Sequence, residues 1–320
     1  MKALVFERFG GPEVLEYREV PDPEPRKGFA IVRTQAIGLN FADIYRRKGN
    51  YTLAGNPPYI AGYEAAGIIE SVSDKEFKAG QRVAFADNPF ANAELVSVRL
   101  DKLIPLPDDI PADIAASLLL QGLTAQYLVR DSHPLQAGED ALIHAAAGGV
   151  GLLLTQMAKL LGARVLGLTS TRDKADMAVA AGADAVALYS GNWVDAAKAF
   201  SRTGKGVDVA YDSVGTTLQD SFKAVRHGGH VVFFGMAGGD PAPVDPRMLM
   251  DSSKSLTGGD LWNVLTSGDE RRRRAAELFD WVRKGKLKIH VAARCPLSEG
   301  ARAHTFLESR NSSGKVLLIP

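Results

Sequence analysis

Only one of the 320 residues, Cys295, is a cysteine. A single thiol cannot close an internal disulfide, and it excludes any zinc cluster built from several thiolates. Excess charge of either sign is also missing: 38 Lys and Arg stand against 37 Asp and Glu, a formal charge of +1. That balance argues against broad electrostatic capture of nucleic acid or an anionic membrane. The one dense basic run, Arg271–Arg274, lies between Glu270 and Glu277 and reads as a solvated helix face. Long apolar runs are absent as well. The most hydrophobic segment, Ala141 to Ala158, is broken by His144, a glycine cluster and Gln156, so it is no membrane span. The opening "MKALVFERFG" carries charges early and has no apolar core of signal-peptide length, and cytoplasmic residence is the expectation.

What is present is ordinary for a globular chain, 46% hydrophobic and 23% charged, and 320 residues exceed what one compact core serves. Two domains are expected. The first hundred residues read as short strands with turn punctuation, among them "FAIVRTQAIGL", "GYEAAGIIESV" and "GQRVAFA", with "VPDPEPRKG" an exposed connection. From Ala141 the rhythm changes. Strand "DALIHAAA", helix "GVGLLLTQMAKLLGA", strand "RVLGLTS", helix "RDKADMAVAAGA", strand "AVALY", helix "NWVDAAKAFSRTG", strand "VDVAYDSVG", helix "TLQDSFKAVRHGG" and strand "HVVFFG" follow in turn. Such alternation predicts an α/β, doubly wound parallel sheet. A helix over 269–284, a strand near "LKIHVA", a helix from Ser298 and a strand "KVLLIP" complete the chain. That tail is too small for a core of its own and is expected to pack on the first domain.

"AAAGGVG", Ala145–Gly151, joins the first strand of the alternating region to its helix. It matches G-x-G-x-x-G with Ala146 in the first place, then Gly148 and Gly151. Gly148 lets backbone approach a pyrophosphate and Gly151 lets helix and strand pack closely, while the helix N-terminus supplies free N–H groups. An NAD site calls for Asp or Glu at the end of the second strand, to hold the ribose 2′-hydroxyl. Here Ser170 and Thr171 stand there, followed by Arg172 and Lys174, which suit a 2′-phosphate; Asp173 reads as a helix-start acid. NADPH is the expected cofactor.

Several segments together resemble the quinone oxidoreductase (zeta-crystallin-like) family of the medium-chain dehydrogenase/reductase superfamily. They are "FGGPEVLEY", "AIGLNFADIYRRKGNY", "HAAAGGVGLL", "YDSVG" and "FLESRNSSGKVLLIP", and they keep their order along essentially the whole chain. The resemblance implies a β-rich GroES-like catalytic domain over 1–124 and 265–320, a Rossmann nucleotide-binding domain over 125–264, and a homodimer. It implies that Asn40, Asp43, Tyr45 and Tyr51 line the catalytic cleft. Asn40 would bond the nicotinamide ribose or the acceptor oxygen, and the tyrosines would stack on a flat ring and offer an O–H; loop aromatics at the surface are the plainer alternative. For the nucleotide it implies Gly149 and Val150 at the helix start, with Ser170, Lys174, Tyr189 and Arg310 around the 2′-phosphate. Ser213, Phe234 and Gly235 would follow later strands at the carboxyl edge, and Phe41 and Tyr127 are matched positions of less obvious role.

The lone acid of "AGYEAAGII", Glu64, is a candidate metal ligand, base or structural carboxylate. Zinc members of the superfamily carry Gly-His-Glu where this chain has Gly62-Tyr63-Glu64, and a cysteine ligand near Asn40, where the first domain has none. Zinc is therefore not expected, and Glu64 reads as a buried carboxylate bonded to neighbours. Without a Lewis acid, a plain carbonyl would be poorly activated; a quinone, whose reduced form is aromatic, needs less help. NADPH-dependent quinone reduction is the leading expectation. An enone or alkenal reductase is its nearest alternative, and a low-turnover NADPH-binding sensor or RNA-binding protein another. His144 is a general-acid candidate but reads more simply as a core histidine, and Trp262 as a pocket wall or a dimer contact.

Overall fold

A computed structural model describes residues 1–320, which divide into two compact units. The first comprises Met1–Leu123, Leu265–Arg283 and Ile289–Pro320; the second comprises Thr124–Val264 with Lys284–Lys288.

The first unit is built on a seven-stranded sheet. Its order is Val291–Pro296, Lys315–Ile319, Phe29–Leu39, Glu64–Val72, Arg82–Ala86 and Ile104–Pro105, with Leu95–Arg99 also paired to Phe29–Leu39. The long strand Phe29–Leu39 is apolar along most of its length and takes antiparallel partners on both sides. Two registers matter for function. Leu39 lies opposite Val316, and Ile37 opposite Ala65. Continued by one residue, they bring Asn40 level with Lys315 and Gly38 level with Glu64. Three side chains far apart in sequence thus meet at one end of neighbouring strands. Leu4, Phe6, Ile37, Leu39, Phe85 and Val316 lie in the core beneath them.

The second unit holds six parallel strands in the order Ala185–Leu188, Arg164–Thr169, Asp140–Ile143, Val207–Asp212, Val225–Phe233 and Ser255–Gly258. Numbered along the chain this is 3-2-1-4-5-6, the Rossmann order. The order reverses between Asp140–Ile143 and Val207–Asp212, so the crevice at their carboxyl ends lies beside Ile143 and Asp212. Val and Leu dominate these strands because helices cover both faces.

Three elements differ from the sequence expectation. The helix expected over "TLQDSFKAVRHGG" stops at Ala224, because β-branched Val225 pairs with Val207 and starts a strand that runs to Phe233. The strand expected at "LKIHVA" begins only at Val291, where its pairing with Lys315 begins. The helix Ala112–Tyr127 was not expected among strands. Leu118, Leu119, Leu120 and Leu123 are all buried on it, so it shows no one-sided apolar stripe. No helix is long and apolar enough to cross a membrane.

Candidate active site

In the first unit, the strand Phe29–Leu39 ends at Asn40, which starts the short helix Phe41–Arg47. The Asp43 carboxylate closes this corner by accepting the Asn40 N–H at 2.9 Å. Glu64 is fully buried and both its oxygens are engaged. Oε2 accepts from Lys315 Nζ at 2.6 Å and from Asn40 Nδ2 at 2.9 Å, and Oε1 accepts from the Leu120 N–H at 2.7 Å. Lys315, itself 1% exposed, also donates to Asn40 Oδ1 at 2.8 Å. A buried ion pair is tolerated only with such additional bonds. Gly38 is required here: a Cβ would overlap the Ala116 carbonyl and lie 2.8 Å from Glu64 Cδ.

This geometry changes the part assigned to Asn40. Its amide donates to Gly38 O at 3.1 Å and to Glu64, so both Nδ2 hydrogens point into the protein. Asn40 holds the corner and has no donor left for an acceptor oxygen. It is also unsuited to a metal, as is its surrounding. Tyr63, where zinc relatives have histidine, stacks under Arg46 at 3.5 Å and accepts the Ala54 N–H at 3.2 Å. No group of three His, Cys, Asp or Glu side chains is placed to hold a metal ion. The residues present do not fit zinc.

Around this corner Phe41, Tyr45 and Tyr51 form an aromatic group. Phe41 and Tyr45 are tilted with centroids 6.2 Å apart, Tyr45 and Tyr51 are edge-to-face at 6.5 Å, and Arg46 lies 4.9 Å from the Tyr51 ring. All three aromatics are half-buried. Asp43 sits below them, 3% exposed, with Oδ1 at 3.6 Å from Arg46. Burial pushes its carboxyl up from 3.8 to about 6, against the pull of Arg46, the Asn40 N–H and Lys315 and with the push of Glu64. Ionising it in the folded state therefore carries a cost that is absent below pH 4 and complete above pH 6. Asp43→Asn should gain stability relative to the parent as pH rises from 4 to 7, by on the order of 3 kcal/mol at about 1.4 kcal/mol per pKa unit. Urea denaturation at the two pH values checks this, and a pH-independent difference would refute it.

In the second unit the glycine loop leaves the strand Asp140–Ile143 and the helix Gly149–Leu160 begins with Gly148 as N-cap. Gly148 contributes no side-chain cap. The first backbone bond into the helix is from Leu152 N–H to Gly148 O, so the amides of Gly149, Val150 and Gly151 precede the helical ladder. Gly151 must lack a side chain: a Cβ would overlap the Ala145 carbonyl and come within 2.8 Å of Ala146 Cα. This cradle fits a pyrophosphate. At the end of the neighbouring strand Ser170 and Thr171 are exposed, and Thr171 Oγ1 also caps the next helix by accepting Lys174 N–H at 3.3 Å. Lys174 follows in the first turn, and no acid occupies the strand end.

Ser213 and Gly235 lie side by side after their strands; a Cβ on Gly235 would come 3.1 Å from Ser213 O. Phe234 N–H donates to Asp212 O at 3.0 Å. Tyr127 is buried against Gly259, where a Cβ would come 2.7 Å from its ring. The Tyr189 hydroxyl lies 2.9 Å from Ala145 N and 3.2 Å from His144 Nδ1, so it faces the loop backbone. His144 is a satisfied core histidine, 1% exposed and 3.0 Å from Ser221 Oγ; burial pulls its proton affinity down, with Asp212 opposing. Trp262 is half-buried on the short helix Leu261–Val264. Arg310 is exposed, has φ +60° and belongs to the first unit. Arg46 and Lys315 escaped sequence reasoning, and Tyr63 entered it only as the residue standing where zinc relatives carry histidine. Arg46 had a local signal, three residues after Asp43 on one helix; Lys315 had none.

Residues 26–134 match the alcohol dehydrogenase GroES-like domain family, and residues 149–281 match the zinc-binding dehydrogenase family. Among curated proteins, a quinone oxidoreductase of Pseudomonas aeruginosa is 40% identical over 100% of this chain and 99% of its own length. A 2-haloacrylate reductase of a Burkholderia species is 36% identical over 99% and 98%. Among solved structures, Escherichia coli quinone oxidoreductase complexed with NADPH aligns with TM-score 0.96 and 38% identity, covering 100% of both chains.

Proposed function

We propose, for a chain that belongs to the quinone oxidoreductase family of the medium-chain dehydrogenase/reductase superfamily, NADPH-dependent reduction of quinones without a metal. The observation that carries this reading is the strand end at Ser170–Lys174. Hydroxyls and a cation stand where an NAD enzyme needs an acid, in a chain 38% identical along its length to a quinone oxidoreductase complexed with NADPH.

The amides of Gly149, Val150 and Gly151 would hold the pyrophosphate, and Ser170, Thr171 and Lys174 the 2′-phosphate. NADPH bound there supplies a hydride from nicotinamide C4. The chain's own task is orientation and exclusion of water. Tyr45 and Tyr51 offer flat faces and hydroxyls to a planar acceptor, and Phe41 supports them. Asn40, fixed by Lys315 and Glu64, keeps the helix Phe41–Arg47 in place beneath that surface. With a lysine on Glu64 in place of a metal, carbonyl polarisation is weak. An acceptor whose reduced form is aromatic is then favoured over an isolated ketone.

The likeness to a 2-haloacrylate reductase supports a second reading, reduction of an electron-poor double bond at the same site. The reading extends, on family likeness, to a catalytic domain over 1–124 with 265–320, a nucleotide domain over 125–264, and a homodimer working in the cytoplasm. The near-balanced charge supports a small-molecule acceptor over nucleic acid.

NADPH oxidation assayed with 1,4-benzoquinone and then with a simple enone tests the function. Turnover with the enone alone would establish the second reading, and turnover with neither would refute both. Lys174→Ala should weaken NADPH about 5- to 10-fold while leaving NADH little changed, as expected for one charge-assisted bond to a phosphate. Equal losses for the two cofactors would remove Lys174 from the 2′-phosphate.

A further inference from the structure

Ala145 joins the strand Asp140–Ile143 to the glycine loop, and its φ is +47°. A residue with a Cβ is strained in this left-handed region and stays there only where its surroundings over-determine it. Both backbone groups of Ala145 are held. Its carbonyl accepts the Gly148 N–H at 2.7 Å and packs against Gly151, and its N–H donates to the Tyr189 hydroxyl at 2.9 Å. Tyr189 follows the strand Ala185–Leu188, two strands away in the sheet, so the loop is pinned from outside its own segment.

The hydroxyl is in turn the end of a buried chain of bonds whose proton directions can be worked out. Asp212 lies at the carboxyl end of Val207–Asp212. Its carboxyl accepts the N–H groups of Val214 at 2.8 Å and Gly215 at 3.1 Å on Oδ1 and two hydroxyls on Oδ2, a set of four donors that fits an ionised carboxylate. An ionised carboxylate only accepts, so Ser221 Oγ and Thr217 Oγ1 both donate to Oδ2 at 2.7 Å. With its one proton directed there, Ser221 can only accept from His144 Nε2, at 3.0 Å. Nε2 therefore carries the ring hydrogen. Burial keeps the ring neutral, so Nδ1 is bare and accepts the Tyr189 proton at 3.2 Å. The hydroxyl oxygen is left facing Ala145 N–H with its lone pairs. Every bond from Ala145 to Asp212 points the same way.

We propose that Tyr189, oriented by His144, Ser221 and Asp212, is a positioning residue that locks Ala145 in its left-handed conformation and so holds the glycine loop ready for the cofactor's pyrophosphate. The inference rests on the reading that this loop receives NADPH.

The test uses the full-length protein and three readouts. Without cofactor, Tyr189→Phe should speed amide exchange at Ala145 about tenfold or more, since that N–H loses its acceptor. NADPH should bind about 3- to 10-fold more weakly, with KM for NADPH moving more than kcat. Adding Ala145→Gly to the Tyr189→Phe variant should restore NADPH affinity to within about twofold of the parent, because glycine adopts positive φ unaided. A residue that merely filled space would show no such rescue. In the unaltered protein, nitrogen-15 shifts of the His144 ring should report hydrogen on Nε2. Hydrogen on Nδ1, or parental exchange and affinity in Tyr189→Phe, would overturn the proposal. Failure of the parent protein to bind NADPH would instead overturn the proposed function, while the exchange and ring measurements still decide whether Tyr189 locks the loop.

Discussion

Lys315→Met should destabilise the protein by about 3–5 kcal/mol, the cost of leaving one partner of a buried ion pair alone. The side chain is of similar length, so little packing is lost and the effect is electrostatic. Removing the ammonium takes a 2.6 Å bond from Glu64 and a 2.8 Å bond from Asn40 Oδ1. Glu64 is left with Asn40 Nδ2 and the Leu120 N–H in a site with no access to water. Replacing both partners, as Glu64→Gln with Lys315→Met, removes the stranded charge, and the double variant should be more stable than the single one. Urea unfolding of the parent, both single variants and the double variant closes the cycle. Additive losses would show that Lys315 and Glu64 do not act as a pair. Turnover should fall with stability in Lys315→Met, because Asn40 and the helix Phe41–Arg47 lose their anchor.

Gly151→Ala should weaken NADPH binding by about 10- to 100-fold, corresponding to overpacking of about 1–3 kcal/mol. The added methyl cannot be accommodated by turning a flexible side chain, because the atoms it meets are the Ala145 carbonyl and the Ala146 backbone. Relief requires the helix Gly149–Leu160 to move off the loop, and the amides proposed to receive the phosphates move with it. Fluorescence titration with NADPH gives the affinity, and thermal unfolding separates it from general loss of structure. Affinity equal to the parent's would show that the helix start does not bind the pyrophosphate. Gly148→Ala serves as the milder comparison: its Cβ would meet the Ala145 carbonyl at 3.1 Å, a distance a small shift relieves.

The nucleotide unit was legible because its signals are local. Each strand and helix from Asp140 to Leu188 announces itself within about a dozen residues, and the loop motif depends on glycines only three apart. Where local pattern and tertiary pairing compete, the pairing prevailed, as at Val225, which lies in a helical pattern but finds Val207 as a strand partner. The helix Ala112–Tyr127 was hidden for the opposite reason, since burial around its circumference erases the periodicity that marks a surface helix. In the candidate site, Asn40, Asp43, Tyr45 and Tyr51 came from the family resemblance, which the short segment they share helps to carry. Lys315 could not, since a lysine at the start of a strand reads as solvent-exposed. Only the register of Lys315–Ile319 against Phe29–Leu39 brings it to Glu64. For Tyr189 the resemblance implied a place by the 2′-phosphate, and only the fold reveals that its hydroxyl also accepts the Ala145 N–H of the glycine loop.

The register that joins Lys315 to Glu64 also has a meaning for the chain as it is being made. Glu64 and Lys315 are 251 residues apart. At about 5–20 residues per second, synthesis of that interval occupies roughly 10–50 seconds. Throughout it the nascent first unit holds a carboxylate destined for burial without the cation that makes burial tolerable. The strand slot beside Phe29–Leu39 also stays open until Lys315–Ile319 arrives. The nucleotide unit, Lys284–Lys288 included, is by then already synthesised and free to fold. Vectorial synthesis thus imposes an order of assembly in which the glycine loop can form before the acceptor side closes, and an incomplete chain keeps an open sheet edge that marks it as unfinished.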